Sequence, residues 1–174
     1  LRFLLRNVTL RFDKEPIISR SILYRAAFYL RHIYLVFRYN SELTSINWPP
    51  KVTEIPGECF YQCPNLRFEI PNNITKIGRF AFNGSKTITN LTIPPFVEEI
   101  EEQAFGSCTN LNSIILPEAL TNIGNNAFDN TSIKELTIPS STQIIGNHIV
   151  ANCQNLKVIY WNTTADMPEL FYSW

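Results

Sequence analysis

The residues of this chain that could do chemistry are four cysteines, two histidines and a run of glutamates, and their spacing decides what each can be. Cys63, Cys108 and Cys153 each follow a recurrent bulky residue by three positions, and Ser85 and Thr131 hold the same place in between. If successive copies stack as strand layers about 4.8 Å apart, these thiols lie two layers, roughly 10 Å, from one another. A disulfide needs Cα atoms within about 7 Å, so none is expected. The same scatter argues against a four-thiol zinc site, and Cys59 stands at a small-residue position that points into the core. The cysteines are read as buried structural thiols, which favours a reducing compartment.

His148, in the string IGNHIV, takes a surface position with no acid spaced to orient it and is read as a solvated side chain; the other histidine is His32. Asp13, Asp129 and Asp166 are scattered, whereas Glu98, Glu99, Glu101 and Glu102 crowd one turn and read as a solvated face. No phosphate-cradling glycine loop, zinc-binding H-E-x-x-H or nucleophile elbow occurs. Catalysis, a cofactor, a metal and a small-molecule substrate are therefore not expected. Six N-x-[ST] sequons, at Asn7, Asn73, Asn83, Asn90, Asn130 and Asn162, compare with roughly three expected by chance. The excess suits secretion in a eukaryote, although asparagine also favours turns for conformational reasons.

These residues are positioned by a repeat. Proline recurs at Pro49, Pro71, Pro94, Pro117 and Pro139, in steps of 22, 23, 23 and 22. A bulky residue recurs in the same steps at Phe60, Phe82, Phe105, Phe128 and Val150. Such a period signals stacked units that bury a core only together.

Each unit has three parts. A strand L-x-x-I-x-L comes first. Its inward ladders are Leu43, Leu66, Ile88, Leu111, Ile133 and Leu156; then Ile46, Phe68, Leu91, Ile114, Leu136 and Ile159; then Trp48, Ile70, Ile93, Leu116, Ile138 and Trp161. The copy at 66–71 is a residue short, so its register is less secure. The proline then ends the strand, having no N–H to give a ladder. Ile55, Ile77, Ile100, Ile123 and Ile145 follow, with a glycine next in three copies, consistent with a sharp bend that a side chain would obstruct. A short helical turn ending in Ala-Phe closes the unit. Strand residues between the inward ones face away: Ser45, Asn47, Arg67, Glu69, Asn90, Thr92, Ser113, Ile115, Glu135, Thr137, Val158 and Tyr160. They form the candidate binding face, since solenoids recognise partners on extended strand surfaces.

The organisation is then 1–42, a degenerate repeat or cap; 43–161, five repeats and a final strand; and 162–174, a C-terminal cap. Residues 1–40 hold eight basic against two acidic residues, and 41–174 hold seven against thirteen. A competing reading makes 17–38 a basic amphipathic helix, with Arg20, Arg31 and Arg38 on one face. Arginines interrupt the most apolar stretch, so no membrane span is expected. The chain begins at Leu1, which is read as a fragment or a processed product.

The strings IPNNITKIGRFAFNGS at 70–85 and LPEALTNIGNNAFDNT at 116–131, with the C-x-x-L turns at 63–66 and 153–156, resemble the BspA-like, or Treponema-type, leucine-rich repeat. The resemblance covers about 43–161. It implies an α/β repeat: a curved leucine-rich-repeat solenoid with short strands on the concave face and short helical turns on the convex side. It further implies a non-enzymatic, monomeric protein-recognition module at the cell surface or secreted, an adhesin for a host or matrix protein. The alternative is a cytoplasmic scaffold whose basic N-terminal segment docks on anionic membrane or nucleic acid, an attachment that salt would weaken.

Overall fold

The structure, a computed structural model, describes residues 37–46, 48 and 51–170. The degenerate repeat or cap expected over 1–42, and the competing amphipathic helix over 17–38, thus lie, up to residue 36, outside the described residues.

The most regular element is a short strand at the recurrent isoleucine. The recurrent isoleucine ends a two-residue strand in every coil: β1 (Glu54–Ile55), β2 (Lys76–Ile77), then β4 (Glu99–Ile100), β6 (Asn122–Ile123) and β8 (Ile144–Ile145). All five pair in parallel, isoleucine to isoleucine, in the order β1-β2-β4-β6-β8. Alternation along a strand turns the isoleucine inward and its predecessor outward. Ile77, Ile100 and Ile123 are fully buried, while Ile145 in the last coil is half-buried.

The longer strands β3 (Asn90–Thr92), β5 (Ser113–Ile115), β7 (Glu135–Ile138) and β9 (Val158–Trp161) come from the L-x-x-I-x-L stretches. They do not form one sheet. β3 pairs with β5, β7 pairs with β9, and Ser45 makes a lone bridge to Arg67. Both interruptions adjoin a missing residue. Leu66 stands five positions before its proline where Ile88, Leu111 and Ile133 stand six before theirs, and the turn from Thr131 to Ile133 is one shorter than that from Cys108 to Leu111. A one-residue slip turns a strand's side chains over, so the chain keeps its inward residues inward and gives up the ladder there.

Among the described residues there is no helix, so the expected helical turns on the convex side are corrected to non-helical turns. The reason lies in the backbone. Two residues per coil adopt the left-handed conformation: Phe80 (φ 56°) and Gly84 (φ 80°) around Phe82, Gln103 (φ 51°) and Ser107 (φ 56°) around Phe105, Asn126 (φ 57°) and Asn130 (φ 53°) around Phe128. A helix cannot propagate through such residues. Alternate amides instead point to the next coil: Phe60 N–H donates to the Ala81 carbonyl (3.0 Å), Phe82 to Ala104 (2.9 Å), Phe105 to Ala127 (2.9 Å) and Phe128 to Ile149 (2.9 Å). The intervening amides close tight turns within their own coil, as Ala104 N–H does on the Glu101 carbonyl (3.2 Å).

Small residues at the Ala position let the phenylalanines stack. Ring centroids along Phe37, Phe60, Phe82, Phe105 and Phe128 are 5.6, 5.5, 5.6 and 6.2 Å apart, with planes within 14° of parallel. Phe37 therefore belongs to the column, one period before Phe60. The inward ladders named above line the same core, buried through most of the middle coils and half-buried at Leu116 and, toward the ends, at Ile46, Trp48, Phe68, Leu156, Ile159 and Trp161. Residues 162–170 run across the last coil. His148 N–H donates to the Glu169 carbonyl, Thr163 Oγ1 to the Thr142 carbonyl, and Leu170 packs against the core.

The position three after each phenylalanine has a defined task. The thiols of Cys63, Cys108 and Cys153 donate to the carbonyls of Phe37 (2.8 Å), Phe82 (3.3 Å) and Phe128 (3.1 Å). Ser85, fully buried at the equivalent place, has a hydroxyl without a partner. A buried unsatisfied polar group costs about 1–3 kcal/mol. Ser85→Ala is therefore expected to stabilise the fold by about 1 kcal/mol, read as a higher denaturant midpoint at unchanged slope. A lower midpoint would contradict it.

Candidate binding face

The residues expected to face away from the core do so. Ser45, Arg67, Glu69, Asn90, Thr92, Ser113, Ile115, Glu135, Thr137, Val158 and Tyr160 are all exposed, and Asn47 lies outside the described residues. Register brings them together in rungs: Ser45 beside Arg67, Asn90 beside Ser113, Thr92 beside Ile115, Glu135 beside Val158 and Thr137 beside Tyr160. Each exposed residue alternates with an inward one, such as Leu91, Ile114 and Leu136, so the face rests on a packed core. Its chemistry is mixed, with Ile115, Val158 and Tyr160 the exposed apolar members.

The glutamate cluster is not merely solvated. Lys76 Nζ lies 2.7 Å from Glu99 Oε2 and 2.7 Å from Glu101 Oε1. The other oxygen of Glu101 accepts the Arg79 N–H at 2.8 Å, and Glu102 meets the Arg79 guanidinium at 3.3 Å. The hydrogen bonds that Lys76 donates to Glu101 and Glu99 raise its pKa further, so its charge persists. These carboxylates hold neighbouring coils together. His148 likewise departs from the expected solvated side chain without an acid, because its side chain is 20% exposed and Nε2 sits 3.9 Å from Glu169 Oε2. The 21-residue separation hid that pair. Among the described residues no group of three or more metal-binding side chains converges.

Of the sequons, Asn83 is buried and its amide is enclosed by Gln62 (3.2 Å) and Gln103 (3.0 Å), whereas Asn90 is exposed on β3. Asn130 and Asn162 are exposed, and the Asn73 amide bonds to the Val52 carbonyl. Asn7 lies outside the described residues.

The profile of the BspA type leucine rich repeat region matches residues 34–157 as six copies. The chain belongs to that family. The matched stretch takes in Phe37, whose spacing to Asn40 and Leu43 repeats the F-x-x-C-x-x-L pattern with asparagine for cysteine. The BspA-type chain is similar in structure to a leucine-rich repeat protein from Bacteroides ovatus ATCC 8483, at 30% identity and TM-score 0.63, over 69% of this chain and 33% of that one. It thus spans about a third of that protein's length. A leucine rich cell surface protein from Faecalibacterium prausnitzii A2-165 is similar at 26% identity and TM-score 0.56, over 74% of this chain and 42% of that one. A T. pallidum leucine rich repeat protein shares the fold at 24% identity and TM-score 0.61, over 72% of each chain. A search of curated proteins gives no significant match.

In this BspA-type solenoid the four cysteines are free and buried. Burial pushes the thiols of Cys59 and Cys108 up to about 12, against an ordinary value of 9.0. Their folded-state pKa is raised, so their contribution to stability is complete below pH 9 and is lost as pH climbs from about 9 to 12. Each unit of pH in that window removes on the order of 1 kcal/mol per thiol, because only the unfolded thiol ionises. Cys59→Ala, which restores the residue of the middle coils, should flatten the fall in melting temperature between pH 9 and 11. An unchanged slope would contradict the assignment.

Proposed function

We propose that the chain is a non-enzymatic protein-recognition module of a cell-surface or secreted BspA-type protein, binding a host or matrix protein along its strand face. The observation that supports this reading is the row of exposed side chains from Ser45 to Tyr160, joined in rungs within each strand pair above inward neighbours such as Leu91, Ile114 and Leu136 that are buried in the core. A face anchored this way loses little side-chain and backbone freedom when it binds. Ile115, Val158 and Tyr160 are its apolar anchor, with aromatic Tyr160 the best suited to a buried contact. The surface location is supported by family membership and by the description of the F. prausnitzii protein. The ligand-contacting set is Ser45, Asn47, Arg67, Glu69, Asn90, Thr92, Ser113, Ile115, Glu135, Thr137, Val158 and Tyr160.

The test uses immobilised fibronectin, fibrinogen and laminin with the intact chain. The double variant Ile115→Glu, Tyr160→Glu should weaken capture by at least one of them tenfold or more. A control with the same added charge off that face, Gln143→Glu with Gln154→Glu, should bind as the parent does. Capture by none of the three, or equal losses in both variants, would count against this reading.

A further inference from the structure

The described stack ends in an open layer. Residues 163–170 repeat the bonds by which each coil joins the one before. Glu169 N–H donates to Asn147 Oδ1 (3.3 Å) as Asn147 N–H does to Asn125 Oδ1 (2.8 Å), and the Glu169 carbonyl accepts from His148 N–H as that of Asn147 accepts from Asn126. These residues therefore share one layer with β9. Met167, 22 residues after Ile145, stands at the place of the recurrent isoleucine but is 64% exposed, and Leu156, Ile159, Trp161 and Leu170 of the same layer are half-buried. Among the described residues no strand pairs with the outer edge of β9.

In a parallel pair, alternate residues turn their N–H and C=O toward opposite edges. Asn162 N–H donates to the Ile138 carbonyl of β7 (3.2 Å), so Val158 and Tyr160 also address β7, while Ile159 and Trp161 turn their backbone groups to the open side. Exposed edges are ordinarily blunted by lysine, proline or a bulge. Val158–Trp161 has none of these, and its four residues are uncharged and either β-branched or aromatic. The occupant must then be an extended, neutral strand with an apolar inner side. β9 itself meets that requirement, because a two-fold axis presents the same strand to both copies. Centring the pair on Tyr160 joins the N–H and C=O of Ile159 to the C=O and N–H of Trp161 in the second copy, and the reverse, using only groups that face the open edge. Tyr160 then lies opposite its counterpart, a favourable cross-strand aromatic pair, and Lys157 meets Thr163, so no like charges oppose. A peptide from another protein would cover one edge and leave its own far edge open, whereas the two-fold pair closes both.

We propose that the chain forms a two-fold dimer by antiparallel pairing of β9 with β9 of a second copy, in place of the monomer that the family resemblance implies. The test is sedimentation velocity of the intact chain alone over a concentration series, with hydrogen exchange of the Ile159 and Trp161 amides at its two extremes. No ligand is present, so the result is separate from that of the capture assay above. The mass is expected to rise from one chain to two and stop there, because a two-fold contact closes on itself. Both amides should be protected at high concentration and exchange freely at low concentration. Tyr160→Lys sets two lysines opposite each other and should weaken the dimer tenfold or more. Ile115→Lys, also exposed on the strand face but away from this edge, should leave it unchanged, and both variants should keep the melting temperature of the parent. The proposal is overturned by a single-chain mass at every concentration, by growth beyond two copies, or by a dimer that tolerates Tyr160→Lys or leaves the two amides unprotected.

Discussion

Phe105→Ala is expected to destabilise the chain by about 3–5 kcal/mol, the range for truncating a fully buried phenylalanine. Phe105 is 0% exposed and sits in the middle of the ring column, 5.6 Å from Phe82 and 6.2 Å from Phe128. The cavity would have rigid walls, because the backbone of the turn is bonded to the coil on each side: Phe82 N–H to Ala104, and Phe105 N–H to Ala127. Stability in a stack depends on nearest-neighbour contacts, so loss at the centre weakens both halves. For a domain of this size the melting temperature should drop roughly 6–20 °C. Ile115→Ala, on the exposed face, should change stability by less than about 0.5 kcal/mol. Equal effects of the two substitutions in a thermal scan would refute the column.

Gly124→Ala is expected to cost about 1–3 kcal/mol, the penalty for overpacking a tight contact. The glycine after the recurrent isoleucine was expected to serve a sharp bend. Its φ is not in the left-handed region, so what calls for glycine is the obstruction a side chain would meet and not backbone freedom. A Cβ there would lie 2.4 Å from the Glu102 backbone nitrogen, and at Gly78 it would lie 2.5 Å from that of Gly57. The coils approach too closely at this point for a side chain to fit. Where Glu101 replaces the glycine, its carboxylate bonds the Arg79 N–H, so the larger residue is compensated by a contact alanine cannot make. Chemical denaturation of Gly124→Ala should therefore show a lower midpoint; an unchanged midpoint would show that the coils yield without cost.

Much of this architecture was legible because burial in a stack repeats with the period. Leu91, Ile114 and Leu136 could be assigned inward, and Thr92, Ile115 and Thr137 outward, from alternation alone. The turns were less legible. The spacing of glycine, alanine and phenylalanine fits a helix as well as a turn, and only some left-handed residues carry a signal. Asn126 and Asn130 suit that conformation, but Phe80, Gln103 and Ser107 do not advertise it, since they adopt it under the hydrogen bonds between coils. The division of the strand face was half visible. The deletion at 66–71 shortens a strand and breaks its alternation, whereas the shortened turn from Thr131 to Ile133 lies in a loop, where length carries little signal. Phe37 is legible in its 23-residue step to Phe60 and in Leu43 six positions on.

The central claim is that successive coils form one packed body, bonded coil to coil through alternate amides, on which the outer face depends. Native-state hydrogen exchange at the amides of Phe82, Phe105 and Phe128 tests it most directly. Each of these donates to a carbonyl 21 or 22 residues ahead. The expected result is strong protection at all three with a common opening free energy, well above that of the exposed Gln154 amide. Exchange of the Phe105 amide at the rate of an unstructured chain, with Phe82 and Phe128 still protected, would contradict it.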